Sequence, residues 1–293
     1  MSIRQRPGTA PTLKRMNAAH NTDAQPIVAF IGGGNMASAL IGGLVQSGTE
    51  PARIRVVEPS EPQRQALLQR FGVRAQAAAD GALATASTVV WAVKPQLFKA
   101  AAEPCSAFVS SALQLSVMAG IRSAAIEVAT GTARIVRAMP NTPALIGQGM
   151  AGLYAREGVS AHERAQVERL FAPTGRSVWV QEEADLDAVT ALSGSGPAYA
   201  FYLIEAMVDA AQRMGLSAEQ GREMAIQTIL GASALAQHSP LSPTELRAQV
   251  TSKGGTTHAA LTHLDARSVK ESIVEALLAA RARARELGDE FGR

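Results

Sequence analysis

A short apolar run followed at once by a glycine cluster limits the folds that this chain can adopt. Residues 27–31 have the length and composition of a buried parallel strand. Gly32-Gly33-Gly34-Asn35-Met36-Ala37 follows directly and opens an apolar-periodic stretch that is capped by Gly48. A glycine turn that joins a strand to a helix predicts the first unit of a doubly wound α/β domain.

The same six residues have the pattern G-x-G-x-x-A, which is typical of a dinucleotide-binding turn. Gly32 allows the tight turn, Gly34 lets a pyrophosphate approach the backbone, and Ala37 keeps the helix close to the strand. Asn35 and Met36 then lie in the first helical turn, where unpaired N–H groups and the helix dipole attract phosphate. We therefore expect these five residues to bind the cofactor.

Glu58 ends the second predicted strand, about 20 residues beyond the glycine turn, where an acidic side chain would bond the ribose hydroxyls of NAD. A carboxylate there would repel a 2′-phosphate, so Glu58 favours NADH. Arg64, one turn into the next helix, could reach a phosphate instead. The choice between NADH and NADPH therefore stays open, as does the alternative that Glu58 is a solvated residue at a strand end.

Strands and helices alternate up to about residue 181, which predicts a Rossmann-type dinucleotide-binding domain over residues 26–181. Ser60 with Gln63, and Ser160 with Glu163, have the pattern of a capping box at a helix start. Strands are predicted at residues 54–57, 88–93, 113–116, 133–138, 150–154 and 177–180.

No convincing strand follows, so residues 182–293 are predicted to form an all-helical substrate and dimerisation domain. Residues 199–214 have helical spacing, and Gly215 ends that helix. Ser217 with Gln220, and Ser242 with Pro243, begin the next two. The last helix covers residues 273–287 and is predicted to end at Gly288. The apolar faces are rich in small residues, as in helices that pack against a partner chain.

Composition excludes several classes of protein. The chain has 293 residues, 47% of them hydrophobic, and a net charge of +3, which does not support nucleic-acid binding. No apolar run has the length of a membrane span, so no membrane partner is expected. Cys105 is the only cysteine, and His258 and His263 do not share a helix face, so no metal site is expected. We expect a cytoplasmic enzyme.

Residues 1–25 are Arg-bearing, poor in acidic residues and without an apolar period, so they are predicted to be a disordered tail. A secretory signal would need an apolar segment that this stretch lacks. A transit peptide is the weaker alternative.

Four further motifs, in this order and spacing, resemble those of the pyrroline-5-carboxylate reductase family over about residues 27–288. They are Ala92-Val93-Lys94-Pro95-Gln96, Arg137-Ala138-Met139-Pro140-Asn141-Thr142-Pro143, Leu192-Ser193-Gly194-Ser195-Gly196-Pro197-Ala198-Tyr199 and Val250-Thr251-Ser252-Lys253-Gly254-Gly255-Thr256-Thr257. The last of these is the most specific to the family.

The resemblance implies reduction of 1-pyrroline-5-carboxylate to L-proline by NAD(P)H, the last step of proline biosynthesis. It implies a dinucleotide-binding domain followed by a helical domain. It also implies an intertwined homodimer, in some members assembled into a decamer, with the substrate near the dimer interface.

The resemblance also implies roles for individual residues. Thr257 would hydrogen-bond the imine nitrogen and so act as the catalytic residue, while Ser252, Gly255 and Thr256 would hold the substrate carboxylate. Read from the residues alone, Thr256 or Thr257 could instead cap the following helix. Many family members have Pro where this chain has Lys253.

Two further segments are candidates for the nicotinamide side of the cofactor site. The backbone of Ala92, Val93, Lys94 and Pro95 follows a central strand and lies there by resemblance. Lys94 is either a phosphate or carboxylate partner or a solvated residue at a strand end. The second segment follows the strand predicted at residues 113–116 and consists of Val117, Met118 and Ala119. The alternative interpretation is that these three residues only pack against the core.

Two of the motifs are predicted to be structural. Asn141 is predicted to stiffen a loop that lines the cleft, and Ser193 and Ser195 to pack and position a helix start.

Three other functions compete with this one. A related imine or keto-acid reductase would share the two-domain build. A nucleotide-sensing protein would keep the fold without turnover, and a scaffold would act through residues 1–25.

Overall fold

A single eight-stranded sheet is the frame of the molecule. The computed structural model describes residues 26–291. The strands occur in the order β3-β2-β1-β4-β5-β6-β7-β8, and β7 runs antiparallel to β6 but parallel to β8. The strands are β1 (Val28–Ile31), β2 (Ile54–Val57), β3 (Ala75–Gln76), β4 (Thr88–Trp91), β5 (Leu113–Ser116), β6 (Ile135–Met139), β7 (Gly149–Ala155) and β8 (Gly175–Trp179).

Helices connect the strands and then continue alone after β8. Those of the sheet region are α1 (Asn35–Gln46), α2 (Glu61–Phe71), α3 (Phe98–Ala102), α4 (Ser106–Val109), α5 (Ser123–Thr130) and α6 (Ala161–Phe171). Those that follow are α7 (Asp185–Val189), α8 (Gly196–Arg213), α9 (Ala218–His238), α10 (Pro243–Gln249), α11 (Thr256–Ala266) and α12 (Val269–Phe291). A π-helical turn, Thr190–Gly194, joins α7 to α8.

The central strands are apolar on both sides because helices cover both faces of the sheet. Phe30 and Val90 lie in the core on one face, and their neighbours Ile31 and Trp91 lie in the core on the other. The Trp91 indole N–H donates to the buried Gln114 side chain at 2.9 Å, so the one polar atom of this large residue is satisfied.

The helices after β8 have almost no core within one chain. Apart from Leu186 and Asp187 of the short α7, their buried residues are all small: Ala211, Gly221, Ala225, Ala284 and Gly288. Large apolar side chains point outward instead, among them Phe201 at 60% and Tyr202 at 76% exposure. Because helices stabilise a fold by burying an apolar face, these faces need a further surface to cover them.

The doubly wound fold with a helical C-terminal region, predicted from the sequence, is confirmed. The predicted strands are all present, with ends that differ by one or two residues, whereas the two-residue β3 was missed. The capping boxes at Ser160, Ser217 and Ser242 are present. The last strand ends at Trp179, and the domain boundary at residue 182 stays a prediction. Residues 1–25 lie outside the described residues.

Two local predictions were wrong. Ser60 is the N-cap residue of α2, as predicted, but the expected capping box is absent, since the Ser60 side chain makes no cap and the Gln63 amide donates instead to the Gly33 carbonyl in the glycine turn. The last helix does not end at Gly288 but continues to Phe291. Gly288 is an interior residue whose missing side chain makes room for Arg122.

Within residues 26–291, no helix combines the length and the apolar character needed to cross a membrane.

Candidate active site

The glycine turn lies where the strand order reverses, between β1 and its neighbours β2 and β4. Ligands bind at such switch points in doubly wound sheets. Gly32 has φ +98°, and its N–H donates to the Val57 carbonyl at 2.9 Å. A Cβ on Gly32 would lie 2.7 Å from the Ala92 carbonyl oxygen. Only glycine therefore suits this position, since both the backbone conformation and the space exclude a side chain.

Gly34 has a different role from Gly32. It precedes α1 in an extended conformation, and no atom lies within 4 Å of the place where its Cβ would be. The first turn of α1 contains no acidic residue, and its first intrahelical bond runs from Ser38 N–H to Gly34. The backbone N–H groups just before Ser38 therefore have no acceptor within α1, and the surface at Gly34 is open. This is the arrangement that binds a pyrophosphate. Asn35 is exposed and Met36 is half-buried there.

Glu58 is tied directly to this turn. Its carboxylate accepts the Gly33 N–H and the Ser60 N–H, each at 2.8 Å. Arg64 donates to the backbone carbonyls of Glu58 and Pro59 and pairs with Glu61. The Arg64 guanidinium is therefore already occupied by these contacts. Of the two candidate cofactor-selecting residues, Glu58 is the one whose side chain is fixed beside the glycine turn.

Gln63 contacts the glycine turn, a role that the sequence analysis did not predict. Its amide donates to the Gly33 carbonyl and lies 3.4 Å from the Ser38 hydroxyl, so it braces the glycine turn from α2. The sequence signal was present, but the spacing from Ser60 favoured the capping interpretation.

The residues that follow β4 lie beside the glycine turn. Ala92 N–H donates to the Ile31 carbonyl at 2.8 Å, and Val93 Cγ1 lies 3.0 Å from the place of a Cβ on Gly32. Lys94 is exposed and precedes a short 3-10 turn that begins at Pro95. These backbone segments therefore line the same edge of the sheet as the turn.

The segment after β5 is partly buried. Val117 N–H donates to the Trp91 carbonyl at 3.0 Å, so the segment continues the pairing with β4. Met118 is 3% exposed and belongs to the core, whereas Val117 and Ala119 are half-buried. Any contact from this segment to a cofactor would come from its backbone and from Val117 or Ala119.

The Ser252–Thr257 segment forms a turn followed by a helix start. Gly255 N–H donates to the Ser252 carbonyl at 3.0 Å, and Gly254 has φ +75°. A Cβ on Gly255 would lie 2.7 Å from the Ser252 hydroxyl, so glycine lets that hydroxyl approach the helix start. Gly255 is itself the N-cap of α11, and neither Thr256 nor Thr257 caps the helix.

The N-terminus of α11 is suited to an anion. Its N-cap residue has no side chain to accept the first N–H groups, and its first turn contains no acidic residue. Thr256 is exposed and Thr257 is half-buried. Within residues 26–291, α11 packs mainly against α12.

Asn141 and the serine-glycine segment are joined by hydrogen bonds, and their structural role stays a prediction. The Asn141 amide donates to the Ser193 carbonyl and hydroxyl, each at 3.2 Å, and its oxygen accepts Met150 N–H at 2.9 Å. Ser195 N–H donates to the Thr190 carbonyl at 2.8 Å within the π-helical turn. The asparagine therefore joins the end of β6 to the start of the helical region.

A buried charge network beside β5 and β6 was not found from the sequence. Glu183 accepts Ser123 N–H at 2.6 Å, Ser123 Oγ at 2.7 Å and Arg137 Nη1 at 2.9 Å. Burial raises the pKa of Glu183, but the hydrogen bonds from Ser123 and the charge of Arg137 outweigh burial and hold that pKa below its usual value. Burial lowers the pKa of Arg137. The carboxylate is therefore ionised at neutral pH.

Within residues 26–291, no group of His, Cys, Asp and Glu side chains is arranged to hold a metal ion.

The chain resembles known proteins over both regions. The family model for pyrroline-5-carboxylate reductase dimerisation matches residues 183–287, and the model for NADP oxidoreductase, coenzyme F420-dependent, matches residues 27–120. A pyrroline-5-carboxylate reductase from Pseudomonas aeruginosa is 44% identical over 269 residues, which covers 91% of this chain and 98% of the relative. The chain belongs to the pyrroline-5-carboxylate reductase family.

Relatives of this family extend beyond bacteria. The reductase from Pisum sativum is 36% identical over 88% of this chain and 94% of its own. A solved pyrroline-5-carboxylate reductase from Coxiella burnetii has a TM-score of 0.84 and 37% identity, covering 90% of this chain and 99% of that one. The Plasmodium falciparum pyrroline carboxylate reductase, solved with NADP bound, has a TM-score of 0.80 and 27% identity, with 90% and 98% covered. The predictions of the family, of an oxidoreductase and of a nicotinamide dinucleotide cofactor are confirmed.

Proposed function

We propose that this chain reduces the cyclic imine 1-pyrroline-5-carboxylate to L-proline with NAD(P)H, as a CH–NH oxidoreductase. One observation carries the substrate assignment beyond family membership. Gly255, the N-cap of α11, offers no side-chain acceptor, the first turn of α11 contains no acidic residue, and the Ser252 hydroxyl lies close to Gly255. The N-terminus of α11 can therefore bind the carboxylate of a small ligand.

The glycine turn and the ends of β4 and β5 fit a dinucleotide. The open surface at Gly34 accepts the pyrophosphate, and Glu58 is fixed where it would bond the ribose hydroxyls. Its negative charge favours NADH over NADPH. The backbone from Ala92 to Pro95, with Val117 and Ala119, would border the nicotinamide, which supplies the hydride when bound.

The substrate would be held by its two polar ends. Ser252, Gly255 and Thr256 bind the carboxylate through the hydroxyl and the first N–H groups of α11. The Thr257 hydroxyl hydrogen-bonds the imine nitrogen. Reduction adds a hydride to the imine carbon and a proton to the nitrogen, so the protein mainly has to fix the ring against the cofactor.

The working unit is a homo-oligomer, and we propose that its basic unit is a dimer. The dimerisation match covers residues 183–287, and the same helices expose the large apolar residues described above. Since α11 packs mainly on α12, a second copy would complete the substrate site near the dimer interface. A decamer built from such dimers is a further proposal.

Steady-state oxidation of NADH and NADPH with pyrroline-5-carboxylate tests the function in the wild type and in Thr257→Val and Thr257→Ser. Valine keeps the shape without the hydroxyl, so kcat/KM should fall about 100-fold, as when a donor to a reacting group is lost. Serine keeps the hydroxyl and should retain most of the activity. Cofactor affinity should be unchanged in both variants.

Several outcomes would contradict this proposal. Faster turnover of six-membered or uncharged imines would assign the chain to a related imine reductase. Tight cofactor binding without turnover of any imine would indicate a nucleotide sensor. Equal activity in the valine and serine variants would remove Thr257 from the reaction.

A further inference from the structure

The segment between β5 and α5, residues 117–122, is held from two sides. Strands β4 and β5 hold its first half, since Val117 N–H donates to the Trp91 carbonyl of β4 and Met118 N–H donates to Ser116 Oγ of β5 at 3.3 Å. Its second half lies against the end of the last helix. A Cβ on Gly120 would lie 3.3 Å from the Leu287 carbonyl oxygen and 3.4 Å from the Phe291 ring.

Arg122, at the end of this segment, attaches it to α7. Its guanidinium forms two parallel hydrogen bonds with Asp187, Nη1 to Oδ1 at 3.2 Å and Nη2 to Oδ2 at 2.9 Å. The Asp187 side chain is only 10% exposed. Paired contacts of this kind fix the plane of an arginine more firmly than a single bond.

Gly288 completes the attachment from α12. A Cβ at this position would lie 2.6 Å from Arg122 Nη2 and 2.8 Å from its Cζ. Glycine costs about 1 kcal/mol in a helix interior relative to alanine. Its presence inside α12 is explained by the guanidinium that occupies the space beside it.

We propose that Arg122, Asp187, Gly288 and Phe291, named here the α12 clasp, are positioning residues for the cofactor. The inference rests on the proposed function, since it takes the segment of Val117 and Ala119 to border the nicotinamide. The clasp holds the far end of that segment in its binding geometry before the cofactor arrives. A segment that is ordered beforehand loses less conformational entropy on binding.

Helix α12 also lies close in the chain to the proposed substrate-binding segment, residues 252–257. Thr256 begins α11, α11 packs on α12, and α12 ends on Gly120 and Arg122. The clasp therefore joins the helix that supports the carboxylate site to the segment beside the nicotinamide.

Gly288→Ala in the full-length protein is the first test. The methyl group must displace the guanidinium from Asp187 and release the segment. We expect the Kd for NADH and NADPH, measured by fluorescence titration, to rise about fivefold. The kcat at saturating cofactor and the KM for pyrroline-5-carboxylate should stay within about twofold, since the clasp touches neither the substrate nor the reacting atoms.

Arg122→Lys provides a rescue variant. Its narrower ammonium keeps a charge for Asp187 but vacates the space beside residue 288. Gly288→Ala should therefore cost much less in the Arg122→Lys background, and this non-additivity would locate the effect at that contact. Arg283→Ala is the matched control, because Arg283 lies on α12 but pairs with the exposed Glu286 and Glu290.

If Gly288→Ala fails to fold, Phe291→Ala tests the other half of the clasp with the same titration. Cofactor Kd values within twofold of the wild type in Gly288→Ala and Phe291→Ala would overturn the proposal, even if both variants were less heat-stable. A wild type that binds the cofactor but reduces no pyrroline-5-carboxylate would refute the proposed function alone, since the titrations still measure the clasp.

Discussion

The backbone N–H of Gly33, inside the glycine turn, donates a 2.8 Å hydrogen bond to the Glu58 carboxylate. The bond joins the residue that would contact the ribose to the loop that would hold the pyrophosphate. The second carboxylate oxygen accepts Ser60 N–H, so the group is fixed before any cofactor binds. A fixed negative charge at this place disfavours a ligand with a further phosphate.

Glu58→Gln tests this relationship. The amide removes the charge and retains one of the two hydrogen bonds. We expect the ratio of kcat/KM for NADPH to that for NADH to rise about tenfold, which corresponds to ~1.4 kcal/mol of like-charge repulsion. Glu50→Gln, at an exposed position before β2, should leave the ratio unchanged. An unchanged ratio in Glu58→Gln, with NADPH use lost in Arg64→Ala, would assign the selection to Arg64.

The two outer glycines of the turn should respond differently to the same substitution. Gly32→Ala places a Cβ against a backbone oxygen at positive φ, so we expect a loss of about 1–3 kcal/mol in the free energy of unfolding. Gly34→Ala meets no atom of the protein and should unfold like the wild type, but with weaker cofactor binding. Denaturant unfolding and cofactor titration of both variants check this. Equal stabilities would contradict it.

The ion pair of Glu183 and Arg137 should make stability depend on pH in the acid range. The folded-state pKa of Glu183 lies below the unfolded value of about 4.3, so its contribution is present above that value and is lost as the pH falls through the folded pKa. Glu183→Gln should therefore cost about 3–5 kcal/mol at pH 7, because the buried Arg137 loses the carboxylate that it is hydrogen-bonded to. The difference in Tm from the wild type should shrink as the pH falls below about 4. A constant difference from pH 7 to pH 3.5 would be inconsistent with this pairing.

The exposed apolar face of α8 should be covered by a second copy. Tyr202 is 76% exposed on that helix, and Tyr202→Glu should shift the protein toward monomers in light scattering and lower its activity. Val128→Glu is the matched control, since Val128 is 88% exposed on α5 in the sheet region and should change neither property. Dissociation by the control alone would place the interface on the sheet region.

Much of the fold could be predicted because its signals are local. Ser160 and Glu163 form a capping box three residues apart, and the structure contains it as the spacing predicts. The apolar runs of the central strands needed no partner to be recognised, since burial on both faces leaves mostly apolar positions. The candidate glycine turn was predicted with its strand and helix for the same reason.

The errors came from contacts between distant segments. Gln63 had the spacing of a cap but bonds the carbonyl of Gly33, which lies 30 residues earlier. Gly288 had the position of a helix stop but lies beside Arg122, whose partner Asp187 is 65 residues further along the chain. Neither contact has a sequence pattern at a fixed spacing. The predictions therefore followed the local rules for helix starts and helix ends, and these rules were wrong at both positions.

The glycine turn, the alternation of strands and helices, and the motif at Ser252–Thr257 could all be identified from the amino-acid order, because each depends on neighbours within a few residues. Three other features depend on the packed molecule: the bracing of the turn by Gln63, the Glu183 and Arg137 pair, and the use of Gly288 as space for Arg122. The physical reason is that these depend on which side chains the packed sheet and helices bring within hydrogen-bond distance, and that distance bears no fixed relation to separation along the chain.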